Sequence, residues 1–393
     1  LLLLLVKLDS LWSSSYYWTT GTAVAAAIIL SIAYDQRFAV GMSMFYCLFA
    51  SFATGENIGS AMPAFLTMAA GAYTCCFSLK EIRTRMKLIE VGTLAAIIVF
   101  MIFVAVNFLM STSPDIKIFR EGLFHAIMTL FVGVLMQGLL PLIEKVFRIA
   151  TSMTLLDYSD ANQPLLQKLA MEAPGTFSHS LLIGSIAETA AQAISRNGLL
   201  CRVGAYYHDI GKLNKPTYFT ENELGSASRH KELSPAMSQL IIVGHVKDGV
   251  EMAREYGLPA VLRQFIETHH GTTLVEYFYN EARKKQESSG PRNKDGSPRE
   301  LPESEFRYAG PKPRTKEAAI VMLADCVEGA VRALSEVTPA KIDTVVHNMA
   351  MKRLQDGQFD ECDMSLRELS LIESSLAKSL AAPYHGRVAY PTS

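Results

Sequence analysis

Five histidines and two aspartates carry most of the chemistry in this sequence: His179, His208, Asp209, His245, His269, His270 and Asp325. A lone histidine near a helix start, such as His179 in GTFSHS, commonly caps a helix or fills a core, and an isolated His-Asp pair says little. Their settings say more. His245 ends the apolar run LIIVG and Asp325 sits in AAIVMLADC, where an imidazole or carboxylate needs a hydrogen-bond partner or a cation. Neighbouring residues on a helix point about 100° apart, so His208 and Asp209 can reach one metal or two adjacent ones. The two oxygens of Asp209 would also allow it to bridge. His269 and His270 form a second adjacent pair, followed by Gly271, Thr272 and Thr273, where a substrate could approach closely. Seven nitrogen and oxygen donors suit Mn, Fe or Zn, and the lack of cysteine among them argues against a structural zinc site. Lys212, in HDIGK, adds a cation beside the His-Asp edge, as expected where a metal is held against a phosphate. Thr272 and Thr273 could hydrogen-bond that phosphate or cap the next helix. Tyr206 and Tyr207 fit packing better than base stacking. His230, His347 and His385 lack such context and read as surface or neighbouring groups.

The elements that must position these residues are helices. From Ser178 onward Leu181, Leu182, Ile186, Ala190 and Ile194 recur at three to four residues, and strand-like alternation is nowhere sustained. Similar periods run through 235–256, 260–269, 274–283, 316–334, 339–355 and 366–380, predicting an all-α domain over 177–393. It is interrupted once, at about 284–316, where charge, Gly, Ser and Pro predominate and too little apolar surface is available to offset ordering entropy. A mobile loop is expected there, with Phe306, Arg307 and Tyr308 docking back. Its acidic residues dilute its positive charge, so a nucleic-acid arm is disfavoured.

The first part of the chain differs in character. Of 393 residues 49% are hydrophobic, and the long apolar runs lie before about residue 150, an asymmetry that the net charge of -1 conceals. LLLLLVK reads as the end of a membrane helix that begins before Leu1. Five further segments, near 16–34, 38–54, 61–79, 90–110 and 122–147, are long enough to cross about 30 Å of hydrocarbon at about 1.5 Å per residue. One partial and five full spans over 1–148 are therefore predicted. The basic loop Lys80 to Lys87 and the exit through Lys145 and Arg148 lie on one side if the spans alternate, and the positive-inside rule makes that side cytoplasmic. His125 and Gln137 fit an interfacial histidine and a helix–helix hydrogen bond, with a polar pathway as the alternative. Residues 149–176 read as a juxtamembrane connector, a spacer or a relay of conformational signals. The six cysteines show neither zinc-ligand spacing nor a disulfide framework.

The order His179, His208-Asp209, His245, His269-His270, Asp325 resembles the HD-domain metal phosphohydrolases in their two-metal form. More specifically, EAPGTFSHSLL, YYHDIGKLNKP, HVKDGVEMAREYGLP, HHGTTLVEYFY, RYAGPKP, LADCVEGAVR and DGQFDECDMSLREL are similar to the seven-transmembrane HD family, membrane phosphodiesterases of cyclic di-AMP. The resemblance implies a polytopic helical bundle in the cell membrane, preceded by an anchor, an extracytoplasmic domain and a further helix, and followed by a cytoplasmic HD domain. It further implies two divalent transition metals, Mn or Fe: one held by His179, His208, Asp209 and Asp325, the other by Asp209, His245, His269 and His270. A hydroxide bridging them would attack phosphorus while Lys212 neutralises the developing charge, giving linear pApA. Implied partners are a cyclic dinucleotide and the lipid bilayer, with no nucleic-acid polymer and with a homodimer left open. The chain departs from the family pattern at Ser178, where relatives often carry a histidine, in the 222–228 loop, and in the length of the charged insertion after Arg283. Two other functions remain open: a cyclic di-GMP phosphodiesterase, disfavoured because His270 runs into GTTLVEYFY, and a non-catalytic nucleotide receptor, disfavoured because no ligand is lost.

Overall fold

The computed structural model describes residues 2–12, 17–54, 58–79, 84, 86–111, 115–147, 149–223, 229–289 and 301–382. It divides into two compact units, Leu1–Thr154 and Leu155–Ser393. Among the described residues the regular elements are all helices, with one isolated bridge, between Leu274 and Arg307.

The first unit holds α1 (Leu2–Trp12), α2 (Tyr17–Ala33), α3 (Gln36–Thr54), α4 (Ile58–Ser78), α5 (Met86–Met110) and α6 (Lys117–Phe147). α5 shows why these helices suit lipid. Gly92, Ala95 and Ala96 face inward, while Leu94, Ile97 and Met101 are exposed. Small residues among the inward-facing ones, beside Leu88, Val91 and Val99, and large apolar ones outside suit helices packed closely in hydrocarbon. Four stretches among the described residues are long and apolar enough to span: Gln36–Thr54, Ala61–Ser78, Met86–Met110 and Lys117–Phe147. The full span expected near 16–34 is a helix of 17 residues. At about 1.5 Å per residue it rises about 25 Å, short of the roughly 30 Å of a hydrocarbon core. His125 is buried, with Nδ1 2.8 Å from Thr20 Oγ1. Of the basic loop, Lys80 to Arg83 and Arg85 lie outside the described residues, as do Arg148 and His385.

α7 (Ser152–Tyr158) is followed by α8 (Pro164–Glu172), α9 (Pro174–Ala193), α10 (Gly198–Tyr207), α11 (Pro235–Glu255), α12 (Ala260–Thr268), α13 (Glu276–Ser289), α14 (Lys316–Arg332), α15 (Pro339–Gln355) and α16 (Leu366–Ala381). Pro164 and Pro174 occupy first-turn positions, where a missing N–H costs nothing. Asn197, Ser234, Thr315, Thr338 and Ser365 each cap the helix that follows by accepting a backbone N–H. The core of this unit lies among α9, α10, α14, α15 and α16, around Ile183, Val321, Ile342 and Ile372. The charged segment expected to loop from 284 continues α13 to Ser289, where Arg283 and Glu287 pair at 3.0 Å one turn apart. Residues 290–300, the expected mobile centre, lie outside the described residues, and Phe306 beyond them is buried.

Two close approaches set the frame of the site. A Cβ on Gly204 of α10 would stand 2.4 Å from the Phe265 ring of α12. One on Gly211, just after the His-Asp pair, would stand 1.9 Å from the His245 carbonyl of α11. Only glycine lets these three elements meet so closely.

Candidate metal centre

His208 follows the last residue of α10 and His269 the last residue of α12. A helix end leaves carbonyls without intrahelical partners, and these imidazoles use them. His208 Nδ1 donates to the Ala205 carbonyl at 2.6 Å, and His269 Nδ1 to those of Ile266 at 2.9 Å and Phe265 at 3.1 Å. His245, in the middle of α11, donates from Nδ1 to the Ile242 carbonyl. A carbonyl can only accept, so each Nδ1 carries a proton and each Nε2 is the atom offered to the site.

These Nε2 atoms converge on Asp209, which is buried. Asp209 Oδ1 lies 3.3 Å from His245 Nε2 and 3.5 Å from His269 Nε2. Its Oδ2 lies 3.2 Å from His208 Nε2 and 3.9 Å from His179 Nε2. The donors fall into two groups, Asp209 with His245, His269 and His270, and His179 with His208 and Asp325. Within the second, His179 Nε2 is 3.0 Å and His208 Nε2 3.8 Å from Asp325 Oδ1. The carboxylate of Asp209 therefore faces both groups, one oxygen to each. All seven donors expected from the sequence are brought together.

A divalent cation fits this set. The donors are nitrogen and oxygen only, and His208 Nε2 and Asp209 Oδ1 are buried with no hydrogen-bond partner. Charge is distributed accordingly. Burial alone would depress His179 and His208, but the Asp325 and Glu328 carboxylates raise the first to about 9 and Asp209 raises the second to about 10. Burial would raise Asp209, yet His208 and Lys212 hold it well below the usual carboxylate range. Asp325 is likewise held down, by His179 and His208. His269 and His270 are pushed down, first by burial, and stay neutral. The protons shared between His179, His208 and the two aspartates are those a divalent cation displaces on binding.

Lys212 is largely buried, its Nζ 2.7 Å from Asp209 Oδ2 and 2.6 Å from Glu221 Oε1. Two contributors escaped the sequence reading, and a third, Tyr308, was expected only to dock back. Glu221 anchors Lys212 and accepts from Thr176 Oγ1 at 3.1 Å. Glu328, one turn after Asp325 on α14, sets its Oε2 3.0 Å from His179 Nδ1. A second acid at i+3 in an apolar helix was the available signal. Tyr308 stacks on His270, with centroids 4.2 Å apart. Thr272 Oγ1 accepts from Gln358 Nε2 at 2.9 Å, which leaves its own O–H to donate, and Thr273 Oγ1 donates to the His270 carbonyl at 2.8 Å.

A cleft of about 1100 Å³ opens onto the centre, with Lys212, His245, His270 and Tyr308 on its floor. Tyr218, Phe219, Tyr277 and Phe278 line its walls, and Lys231, Lys284 and Lys285 add positive charge. His230, expected at the surface or as a neighbouring group, also lines it and donates from Nε2 to the Tyr218 carbonyl at 2.7 Å. Aromatic faces, positive charge and a metal-ligating floor suit a phosphorylated nucleotide.

The family described as a 7TM receptor with intracellular HD hydrolase matches residues 1–151, and the HD domain matches residues 176–330. The crystallised HD domain of the L. monocytogenes phosphodiesterase PgpH is 42% identical, with a TM-score of 0.52, and aligns over its whole length with 57% of this chain. The chain belongs to the seven-transmembrane HD-domain family. The same L. monocytogenes domain in complex with cyclic-di-AMP is similar at 41% identity and a TM-score of 0.52, over 58% of this chain and all of that one. The cyclic-di-AMP phosphodiesterase PgpH of Bacillus subtilis is 35% identical over 398 residues, covering 100% of this chain and 54% of the relative. The chain thus spans about half the length of the curated relatives it matches. As a member of this family it is a membrane protein whose HD domain carries a divalent-metal site.

Proposed function

We propose that this chain is a membrane-bound phosphodiesterase that hydrolyses cyclic di-AMP to linear pApA. The observation that carries this reading is the Asp209 carboxylate facing two His/Asp groups at the floor of a nucleotide-sized cleft. The L. monocytogenes domain crystallised with cyclic-di-AMP supports the choice of substrate.

His179, His208, Asp209 and Asp325 would hold one divalent cation and Asp209, His245, His269 and His270 a second, with Mn or Fe taken from the family resemblance. When bound, such cations supply Lewis acidity at the phosphoryl oxygens and lower the pKa of water. The chain's own residues do the rest. Asp209 fixes the separation of the two ligand groups. Lys212, anchored by Glu221, presents an ammonium beside Asp209, where charge grows on the phosphoryl group during in-line displacement. The aromatic walls hold the bases and shield the floor from bulk water.

In this reading residues 1–148 anchor the protein in the cell membrane, 149–176 connect, and 177–393 form a cytoplasmic catalytic domain. The basic residues between Lys80 and Lys87 support that orientation. The test uses the 393-residue chain in detergent with Mn²⁺ or Fe²⁺, assayed side by side on cyclic di-AMP and cyclic di-GMP. Preferential release of pApA is expected. Equal turnover of the two would overturn the substrate, and metal-loaded protein that cleaves neither would overturn the activity.

A further inference from the structure

His270 differs from the other candidate ligands in how its ring is held. His208, His245 and His269 each donate from Nδ1 to a helix carbonyl. Among the described residues the His270 ring has no hydrogen-bond partner, and Nδ1 is 4.0 Å from Asp325 Oδ2. Its side chain is also the most exposed of the seven, at 24%. What orients it is packing: the His269 ring lies at 4.0 Å and 44°, and the Tyr308 ring, the most nearly parallel to it, at 4.2 Å and 29°. The same tyrosine meets His245 edge-on at 6.3 Å and 81°.

Tyr308 is itself delivered by a short strap. Val275 N donates to the Phe306 carbonyl at 2.9 Å and Tyr308 N to the Thr273 carbonyl at 3.0 Å, tying the strap antiparallel to the residues just after His270. Phe306 is buried beneath it, edge-on to Tyr279. Arg307 closes it, with Nη1 donating to the Thr272 carbonyl at 2.9 Å and to Asp356 Oδ1 at 3.0 Å. Gln358 ties the same loop from the other side, accepting from Thr272 N at 2.9 Å.

We propose that Tyr308 is a positioning residue for the ligand group of Asp209, His245, His269 and His270, its ring face fixing the His270 imidazole, with Arg307 as the latch of the strap. This rests on the metal reading above. An imidazole with no hydrogen-bonded nitrogen has several rotamers open to it, and a ring stacked on one face removes most of them. Residues that orient a metal ligand typically change metal affinity 10- to 100-fold when lost.

The test titrates Mn²⁺ alone into the 393-residue chain in detergent, comparing wild type, Tyr308→Phe, Tyr308→Leu and Arg307→Met. Tyr308→Leu is expected to weaken one of two Mn²⁺ equivalents about 10- to 100-fold, leave the other unchanged and lose the spin-coupled signal of a metal pair. Tyr308→Phe keeps the ring and should behave as wild type. Arg307→Met should weaken the same equivalent without altering the ring, and it carries the test if Tyr308→Leu does not fold. Saturating Mn²⁺ should restore kcat in each variant, which a general loss of structure would not allow. Wild-type-like binding of both equivalents by Tyr308→Leu and Arg307→Met would overturn the proposal, as would equal losses in Tyr308→Phe and Tyr308→Leu. Wild type that binds fewer than two Mn²⁺ would overturn the metal reading itself.

Discussion

Glu328 Oε2 stands 3.0 Å from His179 Nδ1, while Asp325 Oδ1 stands 3.0 Å from Nε2 of the same ring. Two acids one turn apart on α14 thus face opposite nitrogens of one imidazole, and Arg332 holds the outer one at 3.3 Å. A carboxylate behind a ligating histidine raises its basicity and fixes its orientation. Glu328→Gln keeps the shape and removes the charge. It should weaken cation binding at the His179 group about 10- to 100-fold, as read by metal titration, with hydrolysis recovering at saturating metal. Unchanged affinity would show that Glu328 only packs.

Lys212 makes the opposite prediction. Its ammonium bridges Asp209 and Glu221 without belonging to either ligand group. Lys212→Met should retain metal and lower kcat by about 10²- to 10³-fold, the usual cost of removing one charge-stabilising donor, with KM little changed. Steady-state kinetics on metal-loaded protein checks this. A loss of metal in parallel with rate would make Lys212 structural.

Away from the centre, Lys316 Nζ donates to Glu368 Oε1 at 2.7 Å, joining the first turns of α14 and α16. That bond, together with the Ser365 cap, lowers the Glu368 carboxyl to about 2. The unfolded value is about 4.3. The folded value lies below the unfolded one, so the pair stabilises fully above the unfolded value and is lost as pH falls through about 2. Hydrogen exchange in the first turn of α16 should therefore be slower in wild type than in Glu368→Gln at neutral pH. The difference should shrink as pH falls below about 4.3. A difference that persists into strong acid would contradict the assignment.

Much of this was legible because ligand chemistry leaves local traces. His245 and Asp325 are polar residues in apolar runs, and His208-Asp209 and His269-His270 are adjacent pairs, so their settings and their order mark them together. The all-α fold follows from helical periodicity in the same way. Tertiary closure was not legible. Glu221 and Tyr308 look like ordinary loop residues, and only the folded chain shows one under Lys212 and the other against His270. For Thr272 and Thr273 sequence left a phosphate contact and a helix cap both open, and only the folded chain shows that Thr272 Oγ1 accepts from Gln358, 86 residues on, while Thr273 Oγ1 donates to the His270 carbonyl. The charged stretch after Arg283 was read by composition, which cannot register the pairs that let α13 run to Ser289.

The central claim is that Asp209 joins two cation sites. Metal stoichiometry of the 393-residue chain reconstituted with Mn²⁺, measured by elemental analysis for wild type and Asp209→Asn, tests it most directly. Two equivalents in wild type, with both weakened and hydrolysis lost in Asp209→Asn, is the result predicted from a carboxylate that faces both groups. Two equivalents and full rate retained in Asp209→Asn would contradict it.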